Sequence, residues 1–187
     1  MLFASLDIET SNLNADFGYI LCAVVKPYRD KPKIFRIDDY KEWVSAKYND
    51  KPMIKELVKH LNTFDGLVTY FGRYFDIPFL RSQIIAYDLP RIKDMFHIDV
   101  HQLVRYKLKL HNNKLQTLIE YLNTYRSGKK RIEEKTHINA LYYRKAVTGD
   151  RSGINELLRH CIKDVIALEQ CYDFLKSEMR ALSRSYM

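Results

Sequence analysis

The sequence predicts an α/β fold, a mixed five-stranded sheet flanked by helices. Three observations carry that expectation. Three strand-like segments come first, strands and helices then alternate, and the last part of the chain is helical. Antiparallel hairpins followed by βαβ crossovers build a mixed sheet with helices packed on it. A flavodoxin-like arrangement expects a helix after the first strand, and Asn12–Gly18 is too short and too polar for one.

The elements follow in order. Leu2–Ile8 is apolar and runs into acidic residues, as a buried strand does when it delivers side chains at its end. Tyr19–Pro27 is rich in β-branched and aromatic residues and reads as a second strand. Lys33–Ile37 is a third, joined to it by the turn-like Arg29-Asp30-Lys31-Pro32. A short helix is expected over Tyr40–Lys47. Asp50–Asn62 is an amphipathic helix, with Asp50 as its cap, Pro52 in the first turn, and Ile54, Leu57, Val58 and Leu61 as its stripe. Gly66–Phe71 is the fourth strand and Pro78–Tyr87 a helix. Met95–Val100 is the fifth strand, leading into helix Val100–Leu108. Leu115–Asn123 is helical, Ser127–Glu134 is a charged loop, and Thr136–Thr148 and Ile154–Met179 are the closing helices.

With 187 residues, 47% of them hydrophobic and 29% charged, the chain reads as one globular domain, residues 1–187. No internal repeat or linker divides it. No apolar run reaches the length of a membrane span, and the first residues lack the pattern of a signal peptide. The three cysteines, Cys22, Cys161 and Cys171, have no metal-site spacing and read as buried thiols of a reducing, cytoplasmic compartment. The net charge of +8 favours a polyanionic partner, since neutralising phosphates releases counterions. The basic stretches Lys107–Lys114 and Arg126–Lys135 are where backbone contacts are expected, although solvated helix faces and loops would look the same.

Four stretches carry candidate chemistry. In Asp7-Ile8-Glu9-Thr10, strand alternation turns Asp7 and Glu9 to one side, where they repel unless a cation or proton lies between them. A solvated strand end is the plainer reading of that triplet alone. Asp76 stands at a strand-to-helix junction, where a helix cap and a metal-facing carboxylate are compatible roles. His160 and Asp164 lie one turn apart on a helix whose neighbours Leu157, Cys161, Val165 and Leu168 pack inward. Asp99, with Gln102 three residues on, resembles a capping box, and His97 reads as a core histidine. Taken in order, paired acids, a junction acid and a His/Asp pair are the parts of a two-metal phosphodiesterase. Hard oxygen ligands suit Mg2+ or Mn2+.

Those motifs resemble the DEDD 3′–5′ exonucleases. Within them the likeness is to predicted exonucleases related to the proofreading domain of B-family DNA polymerases, including stand-alone YprB-type proteins. It rests on Asp7-Ile8-Glu9-Thr10, on Val68–Gly72 running to Phe75-Asp76-Ile77-Pro78-Phe79-Leu80, and on His160–Asp164. His97-Ile98-Asp99 and Leu115–Leu118 also look familial, so the likeness spans most of the chain.

The resemblance implies a ribonuclease H-like fold with strand order 3-2-1-4-5 and strand 2 antiparallel. It implies Asp7, Glu9, Asp76 and Asp164 as ligands of two ions, with Asp7 bridging both. Glu9 and Asp164 then hold the ion that carries the attacking water, which His160 orients or deprotonates. Thr10, Phe71, Arg73 and Tyr74 are the expected nucleic-acid contacts, with DNA favoured over RNA and a polymerase or repair protein as a possible separate partner. Two positions depart from the family pattern. Phe71 stands where relatives usually carry asparagine, and His160 occupies the spacing of their tyrosine. Tyr142 and Tyr143 are possible substitutes, with packing the plainer role for each. A catalytically silent nucleic-acid-binding module, an endonuclease on the same fold and a basic protein-binding α/β domain are the competing readings.

Overall fold

The computed structural model describes residues 1–41, 43, 48–124, 131–134 and 137–184, with side chains in the last helix described to Lys176. Three strands form an antiparallel meander: β1 (Phe3–Thr10), β2 (Ile20–Pro27) and β3 (Lys33–Arg36). β4 (Gly66–Thr69) then pairs parallel with the other edge of β1, and β5 (Phe96–Asp99) parallel with β4. Among the described residues the sheet has five strands in the order β3-β2-β1-β4-β5, as the sequence predicts.

Helix α1 (Lys51–Leu61) precedes β4, α2 (Asp76–Ala86) connects β4 to β5, and α3 (Val100–Lys107) follows β5 directly. Helices α4 (Leu115–Thr124), α5 (Ala140–Val147) and the 34-residue α6 (Arg151–Arg184) complete the chain. β2 is buried along nearly its whole length because β1 and β3 flank it and α6 crosses it. The first half of α6 supplies Ile154, Leu157, Cys161 and Val165 to the larger apolar cluster with β1 and β2. Its second half supplies Ala167, Leu168 and Cys171 to a smaller cluster with α3 and α4. One helix thereby spans both parts of the core and fixes what its middle presents to the sheet.

Several boundaries differ from expectation. β1 continues two residues past Ile8, because Glu9 and Thr10 still pair with β2, with a register shift between them. β4 stops at Thr69, where the chain turns through Phe71 at φ 67°. Helix α5 begins at Ala140 rather than Thr136, since Asn139 caps it by accepting the Leu141 N–H. α6 starts at Arg151, three residues early.

Two capping assignments are corrected. Asp50 stands at the start of α1 but makes no capping bond. Its carboxylate accepts the Ile20 N–H and the Tyr87 hydroxyl, each at 2.6 Å. Asp76 is the first residue of α2 rather than its cap. The expected helix Tyr40–Lys47 and the charged loop Ser127–Glu134 fall largely outside the described residues. The three cysteines are free and buried. Among the described residues no helix is long and apolar enough to cross a membrane.

Candidate active site

Strand alternation, a helix start and a helix middle bring the acids of the sequence motifs to one place. Asp7 and Glu9 lie two apart on β1, opposite Val24 and Cys22 of β2. Asp76 reaches across from α2, and its carboxylate accepts the Ile8 N–H at 3.1 Å, which ties the start of α2 to the acid strand. α6 is held against the same strand by Cys161, whose thiol donates to the Asp7 carbonyl oxygen at 3.2 Å. One turn on each side of that anchor, His160 and Asp164 face the acids. His160 Nε2 lies 3.9 Å from Glu9 Oε1 and 3.6 Å from Asp164 Oδ2.

Glu9, Asp76 and Asp164 are all buried. Burial raises the Asp7 carboxyl well above the ordinary aspartate range, and the charges of Asp76, Glu9 and Asp164 raise it further. Asp76 is pushed up to about 7, chiefly by burial, against its backbone hydrogen bonds. All four acids are therefore close enough to oppose each other's ionisation.

Helix α5 adds a residue to this set. The Tyr143 hydroxyl donates to Glu9 Oε2 at 2.5 Å. Gly153 makes the contact possible, because a Cβ there would fall 2.4 Å from the Ala146 nitrogen and 2.6 Å from the Tyr142 oxygen. Only a glycine lets α5 fold back so tightly on α6.

A cleft of about 780 Å3 opens at the acids, lined by Asp7, His160, Asp164 and Tyr143. Phe71 and His101 line it too, as do residues 112–116 ahead of α4. Thr10, Arg73 and Tyr74 lie outside that lining. The Thr10 hydroxyl is turned to the Asn12 carbonyl, and Arg73 donates to the His97 carbonyl. Tyr74 is half exposed beside Leu13 and Pro78, and its hydroxyl accepts from Gln102.

The Phe71–Arg73 turn is built by Asp99, which is 4% exposed. Its carboxylate accepts the N–H groups of Phe71 and Arg73, both at 2.9 Å, and of His101 at 3.0 Å. The last bond caps α3, but Gln102 bonds Tyr74 instead of returning to close a capping box. Gly72 backs onto Thr69, where a Cβ would come within 2.5 Å of its side chain. His97 is a partly buried histidine whose Nε2 meets the Thr69 hydroxyl at 2.9 Å.

The donor set suits a hard divalent cation: four carboxylates whose mutual repulsion a positive charge would relieve. Among the described residues no three His, Cys, Asp or Glu side chains are grouped closely enough to hold a metal ion as they stand. Glu9 is turned to Tyr143 and Asp76 to the Ile8 N–H, so a cation would have to draw them from those partners.

A family model described as the RNase H superfamily matches residues 4–176. The chain belongs to the RNase H superfamily. Its fold agrees with a solved structure, that of the family B DNA polymerase from the hyperthermophilic archaeon Pyrobaculum calidifontis. That match has a TM-score of 0.73 at 17% identity over 94% of this chain. The chain spans about a quarter of the polymerase, 24% of its length, so the likeness is one of fold. No curated protein matches the sequence.

Within this RNase H fold three contributions escaped the sequence reading. Asp99 was legible as a cap but not as the anchor of the Phe71 turn, because its two other donors come from 26 and 28 residues away. Tyr143 was legible as a tyrosine near the motif set, while its bond to Glu9 spans 134 residues. His101 and Gln116 gave no signal at all.

Proposed function

We propose that the chain is a metal-dependent 3′–5′ exonuclease that removes nucleotides from single-stranded DNA. The observation that carries this reading is the convergence of Asp7, Glu9, Asp76 and Asp164, from β1, α2 and α6, beside one open cleft. The net charge of +8 supports a phosphate-bearing substrate. RNase H superfamily membership supports phosphodiester hydrolysis, and the DEDD-like order of the motifs supports cleavage from a 3′ end.

Asp7, Glu9, Asp76 and Asp164 would hold two Mg2+ or Mn2+ ions. The chemistry such ions supply when bound is activation of a water and stabilisation of the leaving oxygen. The chain's own groups do the rest. Tyr143 holds Glu9 in place through its hydroxyl. His160, flanked by Glu9 and Asp164, orients the attacking water at Nε2 and is positioned to take its proton. Phe71 presents an aromatic face to the strand end, with Arg73 and Tyr74 as outer contacts and the Thr10 backbone beside the terminal nucleotide.

The test is digestion of a 5′-labelled single strand with Mg2+ or Mn2+ at several pH values. The expected result is a ladder shortened from the 3′ end, with a circular strand left intact. No cleavage with either ion overturns the proposal, and cleavage of the circle makes the chain an endonuclease. Salt-sensitive binding without turnover is the signature of a silent binding module on the same fold. If His160→Ala keeps most activity at every pH, the histidine has no part in handling the water.

A further inference from the structure

The cleft beside the acids contains more than the exonuclease reading uses. Phe71 projects into it, 45% exposed, from a backbone at φ 67°. A non-glycine residue rarely adopts that conformation, and it persists only where its surroundings enforce it. Here Asp99 enforces it, through bonds to the N–H groups on both sides of Gly72.

His101 stands edge-on to Phe71, with ring centroids 4.8 Å apart, and edge-on to Tyr70 at 5.8 Å. The Tyr70 hydroxyl donates to the Asn113 carbonyl at 2.8 Å, which fastens the turn before α4 to the Phe71 turn. Asn112 stiffens that turn by accepting the Lys114 N–H and the Thr117 hydroxyl. Gln116 follows, and its amide nitrogen donates to Glu120 at 2.7 Å.

Two polar atoms are left over in this assembly. His101 Nδ1 and Gln116 Oε1 are buried and lack a hydrogen-bond partner among the described residues. Both residues line the cleft. A buried polar atom without a partner costs about 1–3 kcal/mol, so such atoms call for a ligand that completes them. An exposed ring held in a fixed pose, beside unsatisfied polar atoms, suits a flat heteroaromatic group with hydrogen-bonding edges. The cleft volume of about 780 Å3 lies within the usual range of ligand sites.

We propose that Phe71, His101 and Gln116 form a nucleobase pocket for a base at the 3′ end of a single DNA strand. The base stacks on the Phe71 ring, and its polar edge meets Gln116 Oε1 and His101 Nδ1. Asp99 acts as the positioning residue that holds the ring in place. This inference rests on the nucleic-acid reading of the cleft, but not on catalysis.

Binding therefore tests it without turnover. Two 5′-fluorescein single strands are titrated by anisotropy in EDTA, identical except that one ends in an abasic nucleotide. The base-bearing strand is expected to bind about 5- to 150-fold more tightly, the equivalent of stacking at about 1–3 kcal/mol per base. Phe71→Ala, which keeps a side chain on the same left-handed backbone, and Gln116→Ala should each shrink that ratio without weakening the abasic strand. Equal affinity for the two strands overturns the pocket, and so does a ratio that survives both substitutions. Failure of both strands to bind overturns it together with the nucleic-acid reading. Discrimination between the strands without any cleavage by Mg2+ or Mn2+ leaves the pocket standing and removes only the exonuclease.

Discussion

Asp99 closes β5 and Asp7 lies near the end of β1, two strands away in the same sheet, yet their surroundings are opposite. Asp99 is met by three N–H donors from two turns of chain. Asp7 is met by three other acids, and a hydrogen bond from Cys161 alone pulls its carboxyl back toward the ordinary range. A carboxylate surrounded by donors fastens backbone segments together. One surrounded by carboxylates stores repulsion that only a proton or a cation removes. The first arrangement serves the fold, and the second acts against it for the sake of what it can bind.

The comparison is sharpened most by exchanging each acid for a neutral residue. Asp7→Asn is expected to lower nuclease activity by about 10³-fold or more, because it removes a central ligand while keeping the shape. Gel quantification of the shortened strand reads this directly. Asp99→Ala should instead act on stability, by about 2–5 kcal/mol in urea denaturation, since buried N–H groups lose an ionised acceptor. A loss under about 1 kcal/mol would show that Asp99 is no fastener.

Mg2+ or Mn2+ should stabilise the natural chain and not Asp7→Asn. At a hundredfold excess over Kd the gain is about 2.7 kcal/mol, or about 5–10 °C in Tm for a chain of this size. Equal shifts for both proteins would place the ion elsewhere.

The smallest expected effect is on stability against pH in the presence of a chelator. A carboxyl whose folded pKa is raised binds its proton more tightly in the folded chain. It therefore supports folding at low pH and withdraws that support as pH rises from about 4 through its folded value. For Asp7 that value is well above the ordinary 3.8, and for Asp76 it is about 7. Asp7→Asn should accordingly match the natural chain most closely near pH 4 and melt increasingly above it toward pH 8. A gap that stays constant with pH would mean that the acids do not repel in the folded chain.

Much of the fold was readable in advance because strand and helix periodicities are local. The Ile54, Leu57, Val58 and Leu61 stripe predicts α1, and all four residues are buried in it. Ends were less readable. Thr136–Asn139 carries the same kind of residues as the helix after it, yet α5 begins only where Asn139 caps it. Asp50 and Asp76 show the same limit from another side. Each sits where a cap belongs, and each is taken by a partner that chain-local reasoning cannot see: Ile20 and Tyr87 for one, Ile8 for the other.

By itself the sequence determined the order of the elements, the alternation that sets Asp7 beside Glu9, and the helical spacing that sets His160 one turn from Asp164. Those depend on residues a few positions apart, where backbone geometry alone decides which side chains share a face. The tertiary structure decided the rest: that Cys161 pins α6 to the acid strand, that Gly153 lets Tyr143 reach Glu9, and that Asp99 sets Phe71 over the cleft. Each of those contacts joins residues far apart in the chain, and its partner is chosen by how the helices pack on the sheet.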